Sequence, residues 1–157
     1  MKAYVAGPFF TQQQLENIER VEEICKNAGV SMFRPRKDAG TLGDKPSVQD
    51  MKRVFDKDVK AIDKCDVVVA DCTYRDTGTS FEMGYAFAKK VPVIMYMATR
   101  KTKRKVNLML ASSCFAVCTT RPQLYCMLLA FQQSKAKAAK LAKEYMERLM
   151  DKGQGIE

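Results

Sequence analysis

The amino-acid sequence predicts an open α/β sheet whose parallel strands are covered by helices on both faces. Three observations carry that expectation. Short apolar runs alternate with segments of helical spacing along the whole 157-residue chain. The run Asp66-Val67-Val68-Val69-Ala70 is apolar on both faces, as the middle of a parallel sheet requires. No stretch approaches the ~20 consecutive apolar residues of a membrane span, so the 46% hydrophobic content belongs to a soluble core.

Tyr4-Val5-Ala6 reads as a buried strand that breaks at Gly7-Pro8. Leu15, Ile18, Val21, Ile24 and Cys25 then recur at helical spacing, ending at Asn27-Ala28-Gly29. Val30 to Phe33 makes a second strand, closed by Arg34-Pro35. Residues 34–48 hold Pro35, Gly40, Gly43 and Pro46, and read as a long loop of the kind that often carries function. Ser47 can cap a helix running to about Lys64, with Met51, Val54, Phe55, Val59 and Ile62 on one face. Beyond the third strand, Asp71 to Thr79 is polar and turn-forming, and a helix is expected from about Ser80 to Lys90. Pro92 to Tyr96 is a fourth strand. A basic stretch (Arg100, Lys101, Lys103, Arg104, Lys105) leads to Asn107-Leu108-Met109-Leu110, and Cys114 to Cys118 is the last strand. A Lys/Ala-rich helix over about 122–150 completes the chain. These elements predict one domain over 1–157, a flavodoxin-like (Rossmann-like) three-layer sandwich with a five-stranded parallel sheet of order 2-1-3-4-5. In such sheets ligands sit where the strand order reverses, here between Gly7-Pro8-Phe9-Phe10 and the segment Asp71 to Glu82.

Composition narrows the chemistry. Histidine is absent, which excludes a His base, His-ligated zinc and the Ser-His-Asp or Cys-His triads. Neither G-x-G-x-x-G nor a Walker P-loop occurs, so the usual dinucleotide and nucleoside-triphosphate sites lose their main support. The excess of 27 basic over 18 acidic residues points to an anionic partner such as a nucleotide, RNA or DNA, or to solvated faces. Six cysteines without a C-x-x-C pair read as buried thiols of a reducing compartment; Cys114 and Cys118, four apart on one strand, are too distant to bridge. With no signal-peptide layout in Met1-Lys2-Ala3-Tyr4, the expected location is the cytoplasm, with no membrane partner.

Asp71, Asp76 and Glu82 fall at the expected crevice. Glu82 is placed in the first turn of its helix, whose positive end would lower its pKa. An ionised Glu beside a sugar can attack the anomeric carbon while a second carboxyl, Asp76, carries a proton for the leaving group. Spacing leaves plainer alternatives open. Thr79-x-x-Glu82 fits a capping box and Asp76-Thr77-Gly78 an ordinary turn, while Asp58, Asp63 and Asp66 fit surface charges or caps.

One set of motifs arrives in a recognisable order. Tyr4-x-Ala6-Gly7-Pro8-Phe9-Phe10 opens, Phe33-Arg34-Pro35-Arg36 follows, and Val54-Phe55-x-x-Asp58 with Ile62 and Asp66 comes next. Asp76-Thr77-Gly78-Thr79, Phe81-Glu82-Met83-Gly84-Tyr85-Ala86, Pro92-Val93 and Asn107-Leu108-Met109 complete the set. From Tyr4 to about Val117 the chain resembles the nucleoside 2-deoxyribosyltransferase family. The resemblance implies transfer of 2-deoxyribose between nucleobases, with retention, through a covalent ester on Glu82. Asp76 would handle the proton on the base and Asp58 would bind the sugar hydroxyls. Tyr4, at the end of the first strand, would hold the Glu82 carboxylate; its plain alternative is a half-buried strand tyrosine. Gly7, Phe9, Phe10 and Gly78 would lie at the substrate, the two phenylalanines walling the base. Asn107, with Met109, would reach a neighbouring subunit's site in a homo-oligomer, a dimer or a hexamer. Partners would be deoxynucleosides and free nucleobases, and neither a metal nor an organic cofactor is needed.

The chain departs from the family in two places. Arg36-Lys37-Asp38-Ala39 stands where members often carry a base-reading glutamine, and the tail beyond about Arg121 has little family pattern; Glu157 receives no site role. An alternative is hydrolysis of 2'-deoxynucleoside 5'-monophosphates, although the related N-hydrolases carry a glycine-rich phosphate loop and a serine where this chain has Asp76. Arg34, Arg36 and Lys37 would be the phosphate's cations. A further alternative is a non-enzymatic nucleic-acid binder using Arg100 to Lys105 and the helix bearing Lys135, Lys137, Lys140 and Lys143.

Overall fold

The computed structural model describes residues 1–40, 42–98 and 105–151. Arg100, Lys101, Lys103 and Arg104 of the basic stretch, and Glu157, lie outside the described residues. Strands β1 (Lys2–Ala6), β2 (Ser31–Phe33), β3 (Val67–Asp71), β4 (Val93–Tyr96) and β5 (Ala116–Cys118) form one all-parallel sheet in the expected order β2-β1-β3-β4-β5. Helices α1 (Gln12–Asn27), α2 (Val48–Asp63), α3 (Thr77–Ala88), α4 (Leu108–Ser113), α5 (Arg121–Gln133) and α6 (Lys135–Asp151) cover it.

The pleat sorts the strand residues between two cores. Ala3, Val5, Val67, Val69 and Ile94 pack with Ile18, Val21 and Cys25 of α1 and with Leu124, Met127 and Leu128 of α5. Tyr4, Ala6, Val68, Ala70 and Met95 pack with Ile62 of α2, Met83 and Ala86 of α3 and Ala111 of α4. Val67, Val68 and Val69 have no exposed surface, and burying each such side chain contributes about 1.5–3 kcal/mol. That anchors β3 beside β1 and fixes where the next loop emerges.

The helix starts follow local sequence. Thr11 with Gln14, Ser47 with Asp50 and Thr120 with Gln123 are capping boxes at the starts of α1, α2 and α5. All six cysteines are free thiols. Among the described residues no helix is long and apolar enough to cross a membrane.

Three segments differ from expectation. Residues 34–48 are not all loop, because Pro35–Ala39 forms a π-helical turn. Arg34 donates to Asp38 Oδ2 from its backbone N–H at 2.7 Å and from its guanidinium Nε at 3.2 Å, Arg36 donates to both carboxylate oxygens of the buried Glu22 at 3.2 and 3.1 Å, and Lys37 reaches Glu22 at 3.3 Å. The cations expected to receive a phosphate are thus engaged with acids of this chain.

The apolar stripe of α2 is buried only near its end, at Ala61 and Ile62. Met51 and Phe55 are 46% and 51% exposed, and the Phe55 ring meets Phe81 of α3 with centroids 5.8 Å apart.

The single helix expected over 122–150 is two. Ser134, in extended backbone (φ −165°, ψ 131°), ends α5, and α6 folds back against α5 and β5. Ala138, Ala142, Tyr145 and Leu149 face inward, leaving Lys135, Lys137, Lys140 and Lys143 exposed.

Candidate active site

Tyr4 lies in the middle of β1 rather than at its end, and it is fully buried. Its hydroxyl donates to Glu82 Oε1 on α3, joining residues 78 apart in sequence. Burial, reinforced by the negative charge of Glu82, pushes the phenol far above its ordinary value, so it stays a donor at any working pH.

Glu82 is the sixth residue of α3, not a first-turn residue. The helix-end effect fades within one turn, and burial governs instead. It pushes the carboxyl up to about 7 against the opposing hydrogen bond from Tyr4, with Asp58 and Asp76 adding to the rise. The lowering expected from the helix end is therefore reversed in sign. Asp58, on α2, is pushed up to about 6 by burial. Its Oδ1 is buried with no hydrogen-bond partner among the described residues. A buried acceptor left in that state is uncommon in a folded chain.

The cap of α3 is Asp76, not Thr79 with Glu82. Asp76 Oδ2 accepts from the Thr79 backbone N–H at 2.6 Å and from Thr79 Oγ1 at 2.7 Å, while Ser80 Oγ donates to the Asp76 carbonyl at 2.9 Å. Asp76-Thr77-Gly78 is accordingly a helix start rather than a free turn. A Cβ on Gly78 would lie 3.2 Å from Asp76 Oδ2, a tight contact that the Asp76 carboxylate would have to relieve. Gly7 has a packing reason too, since a Cβ there would meet Ile18 Cδ1 at 2.6 Å and Asp71 Cβ at 3.1 Å.

Beside this carboxylate group lies a cavity of about 490 Å³, its walls including Arg75, Asp76, Thr77, Ser80, Lys105 and Asn107 over Met95 and Met97. Tyr4, Asp58 and Glu82 do not line it, so Asp76 is the carboxylate shared by the two. Asn107 caps α4, accepting from the Leu110 N–H at 3.2 Å, and stands in the same cavity as the Asp76 of its own chain. Met109 is 75% exposed and stands apart from it. Phe9 and Phe10 stack on one another at 5.1 Å, with Phe10 74% exposed at the β1–α1 corner.

A half-buried glutamate thus accepts from a strand tyrosine, with the charges of Asp58 and Asp76 close by. A family model described as Nucleoside 2-deoxyribosyltransferase matches residues 3–123. The chain belongs to that family. Among solved structures, the 2-deoxyribosyltransferase of Bacillus psychrosaccharolyticus superposes with a TM-score of 0.71 at 27% identity, over 80% of this deoxyribosyltransferase-family chain and 90% of that one. A Thermofilum pendens protein named as a candidate 2'-deoxynucleoside 5'-phosphate N-hydrolase is 26% identical over 111 residues, 70% of this chain and 76% of that protein. The CMP N-glycosidase of Clostridium botulinum, 15% identical with a TM-score of 0.51 over 82% of this chain and 98% of that one, shares the fold. Family members thus handle N-glycosidic bonds.

Sequence reasoning gave no role to several residues around these carboxylates. Arg75, Thr77, Ser80, Met95 and Met97 line the cavity, and Phe33 stacks on Tyr4 with ring centroids 5.6 Å apart and planes 13° from parallel. Only strand register brings Phe33 beside Tyr4, and register is not written in either strand alone.

Proposed function

We propose that the protein transfers 2-deoxyribose from one nucleobase to another through a covalent ester on Glu82. The observation that carries the proposal is the Glu82 carboxyl itself, desolvated, fixed by Tyr4 and flanked by Asp58 and Asp76. A Glu82 oxygen bonds to the anomeric carbon as the carbon–nitrogen bond breaks, and the bonding pair leaves with the base. Asp76, whose Oδ2 is held by Thr79, supplies the proton that the departing base takes up. The acceptor base then attacks the same carbon through a ring nitrogen, the ester bond opens with its pair returning to Glu82, the proton of that N–H passes to Asp76, and two inversions give retention. A sugar hydroxyl satisfies the orphaned Asp58 Oδ1.

The test is incubation with a deoxynucleoside and a different free base. The swapped nucleoside should appear, and mass spectrometry of protein with deoxynucleoside alone should find one deoxyribosyl group on Glu82. Consumption of nucleoside with no adduct and no swap would refute covalent transfer. Hydrolysis of 2'-deoxynucleoside 5'-phosphates is the second proposal, supported by Arg75 and Lys105 at the cavity that Asp76 lines. It predicts release of free base from the monophosphate without exchange.

We further propose a homo-oligomer in which Asn107 completes a neighbouring site. Supporting this, the apolar Leu108 next to it is 52% exposed. Mixing inactive Glu82→Ala with inactive Asn107→Ala protein should restore part of the activity, since some mixed sites carry both native residues. Mixtures as inactive as their parts would place Asn107 in the site of its own chain.

A further inference from the structure

We infer that Phe33 is a positioning residue, acting through Tyr4 to hold the phenol that orients Glu82. The inference rests on Glu82 being the nucleophile proposed above. Tyr4 pairs in register with Phe33 of β2 on one side and with Val68 of β3 on the other. Val68 is fully buried in the interior of the sheet, whereas β2 is an edge strand, so Phe33 is the last side chain in that row.

The Phe33 and Tyr4 rings lie almost parallel, 13° apart at 5.6 Å. Phe33 is only partly buried while Tyr4 has no exposed surface, as expected of a ring that screens the phenol. The chain is clamped immediately afterwards, where the Arg34 N–H donates to Asp38 at 2.7 Å and Arg36 is forked onto Glu22. A hydrogen bond to Glu82 fixes how far the phenol oxygen lies from the carboxylate but resists ring tilt only weakly. A flat aromatic neighbour held by a clamped backbone resists tilt directly.

Phe33→Leu keeps an apolar cover over Tyr4 and removes the flat face. Freed to tilt, the hydroxyl supports the ionised Glu82 carboxylate less well, so the carboxyl should hold its proton to higher pH. The test is a carbon-13 NMR titration of the Glu82 side chain in the native protein, Phe33→Leu, Tyr4→Phe and the double variant. Phe33→Leu should raise the Glu82 midpoint by about half a unit in the native background and leave it unmoved in the Tyr4→Phe background, where no hydroxyl remains to be positioned. Phe33→Tyr, which keeps the stacked ring, should return the native midpoint, and Phe33→Met replaces Phe33→Leu if the latter fails to fold. Equal shifts in both backgrounds, or none in either, would overturn the inference. The titration needs no substrate, so failure of base exchange would sink the transfer proposal while leaving this cycle readable. Where exchange is observed, Phe33→Leu should lower kcat about threefold at neutral pH with KM unchanged.

Discussion

A Glu82→Gln protein should transfer deoxyribose at least about a thousandfold more slowly than the native chain, and above pH 7 it should be the more stable of the two. Both effects come from one half-buried carboxyl. In the unfolded chain Glu82 titrates near 4.5, and in the folded protein near 7. The folded state therefore prefers the protonated form. That contribution to stability is complete below about pH 4.5 and disappears as the pH rises through about 7. At about 1.4 kcal/mol per unit, the loss is at most on the order of 3 kcal/mol. Asp58, displaced to about 6, acts in the same direction. Glutamine keeps an oxygen for the Tyr4 hydroxyl and carries no charge, so it escapes the cost. Thermal melts of both proteins at pH 5 and pH 8 read the effect. The native protein should lose Tm at the higher pH more than the variant does, while its kcat/KM rises with pH up to about 7 as Glu82 ionises. Turnover by Glu82→Gln near the native rate would end the nucleophile assignment, and equal melting at pH 8 would end the account of its burial.

The second large effect concerns Asp76, where two roles share one side chain. As cap of α3 it satisfies the Thr79 N–H through Oδ2, a function worth about 1 kcal/mol when replaced by Ala. As the proposed proton carrier it accelerates departure of the base, and loss of such a group costs roughly 10²–10⁴ in rate. Asn and Ala separate the two. Asp76→Asn still offers an oxygen to Thr79, so its Tm should stay close to native while kcat falls a hundredfold or more. Asp76→Ala should lose both. Melting curves and base-exchange rates on the same preparations decide the matter. If Asp76→Asn exchanges bases at the native rate, Asp76 is a cap and nothing else.

Much of the fold was legible because it rests on local patterns. The apolar run Val67-Val68-Val69 marked the central strand, and Ser47 announced the start of α2 by its side chain, whereas the caps Thr11 and Thr120 went unread. Both Asp76 and Thr79 are residue types that cap helices, however, and local sequence does not choose between them. The chain settles on Asp76, which starts α3 at Thr77 and carries Glu82 into the second turn, over the sheet. That displacement of a few residues reverses the sign of the Glu82 shift, since burial depends on tertiary packing and the helix-end effect on position alone. The stripe of Met51 and Phe55 misled for a related reason. Helical spacing fixes which residues share a face, not what the face meets, and here Phe55 meets Phe81 of α3. In Gln133-Ser134-Lys135 the break between α5 and α6 was signalled only by one serine, in a stretch whose Ala and Lys content favours unbroken helix.

The lengths of the strands carry a consequence for how copies of the chain can meet. Three residues form β2 and three form β5, the two rims of the sheet, against five in β1 and β3. A rim that short presents few unpaired backbone groups, too little template for another chain to add a strand. Continuation of the sheet from one molecule into the next is thereby disfavoured, and with it the route to open-ended aggregates. Association is left to side chains on the helices, where closed symmetric contacts of defined size can form.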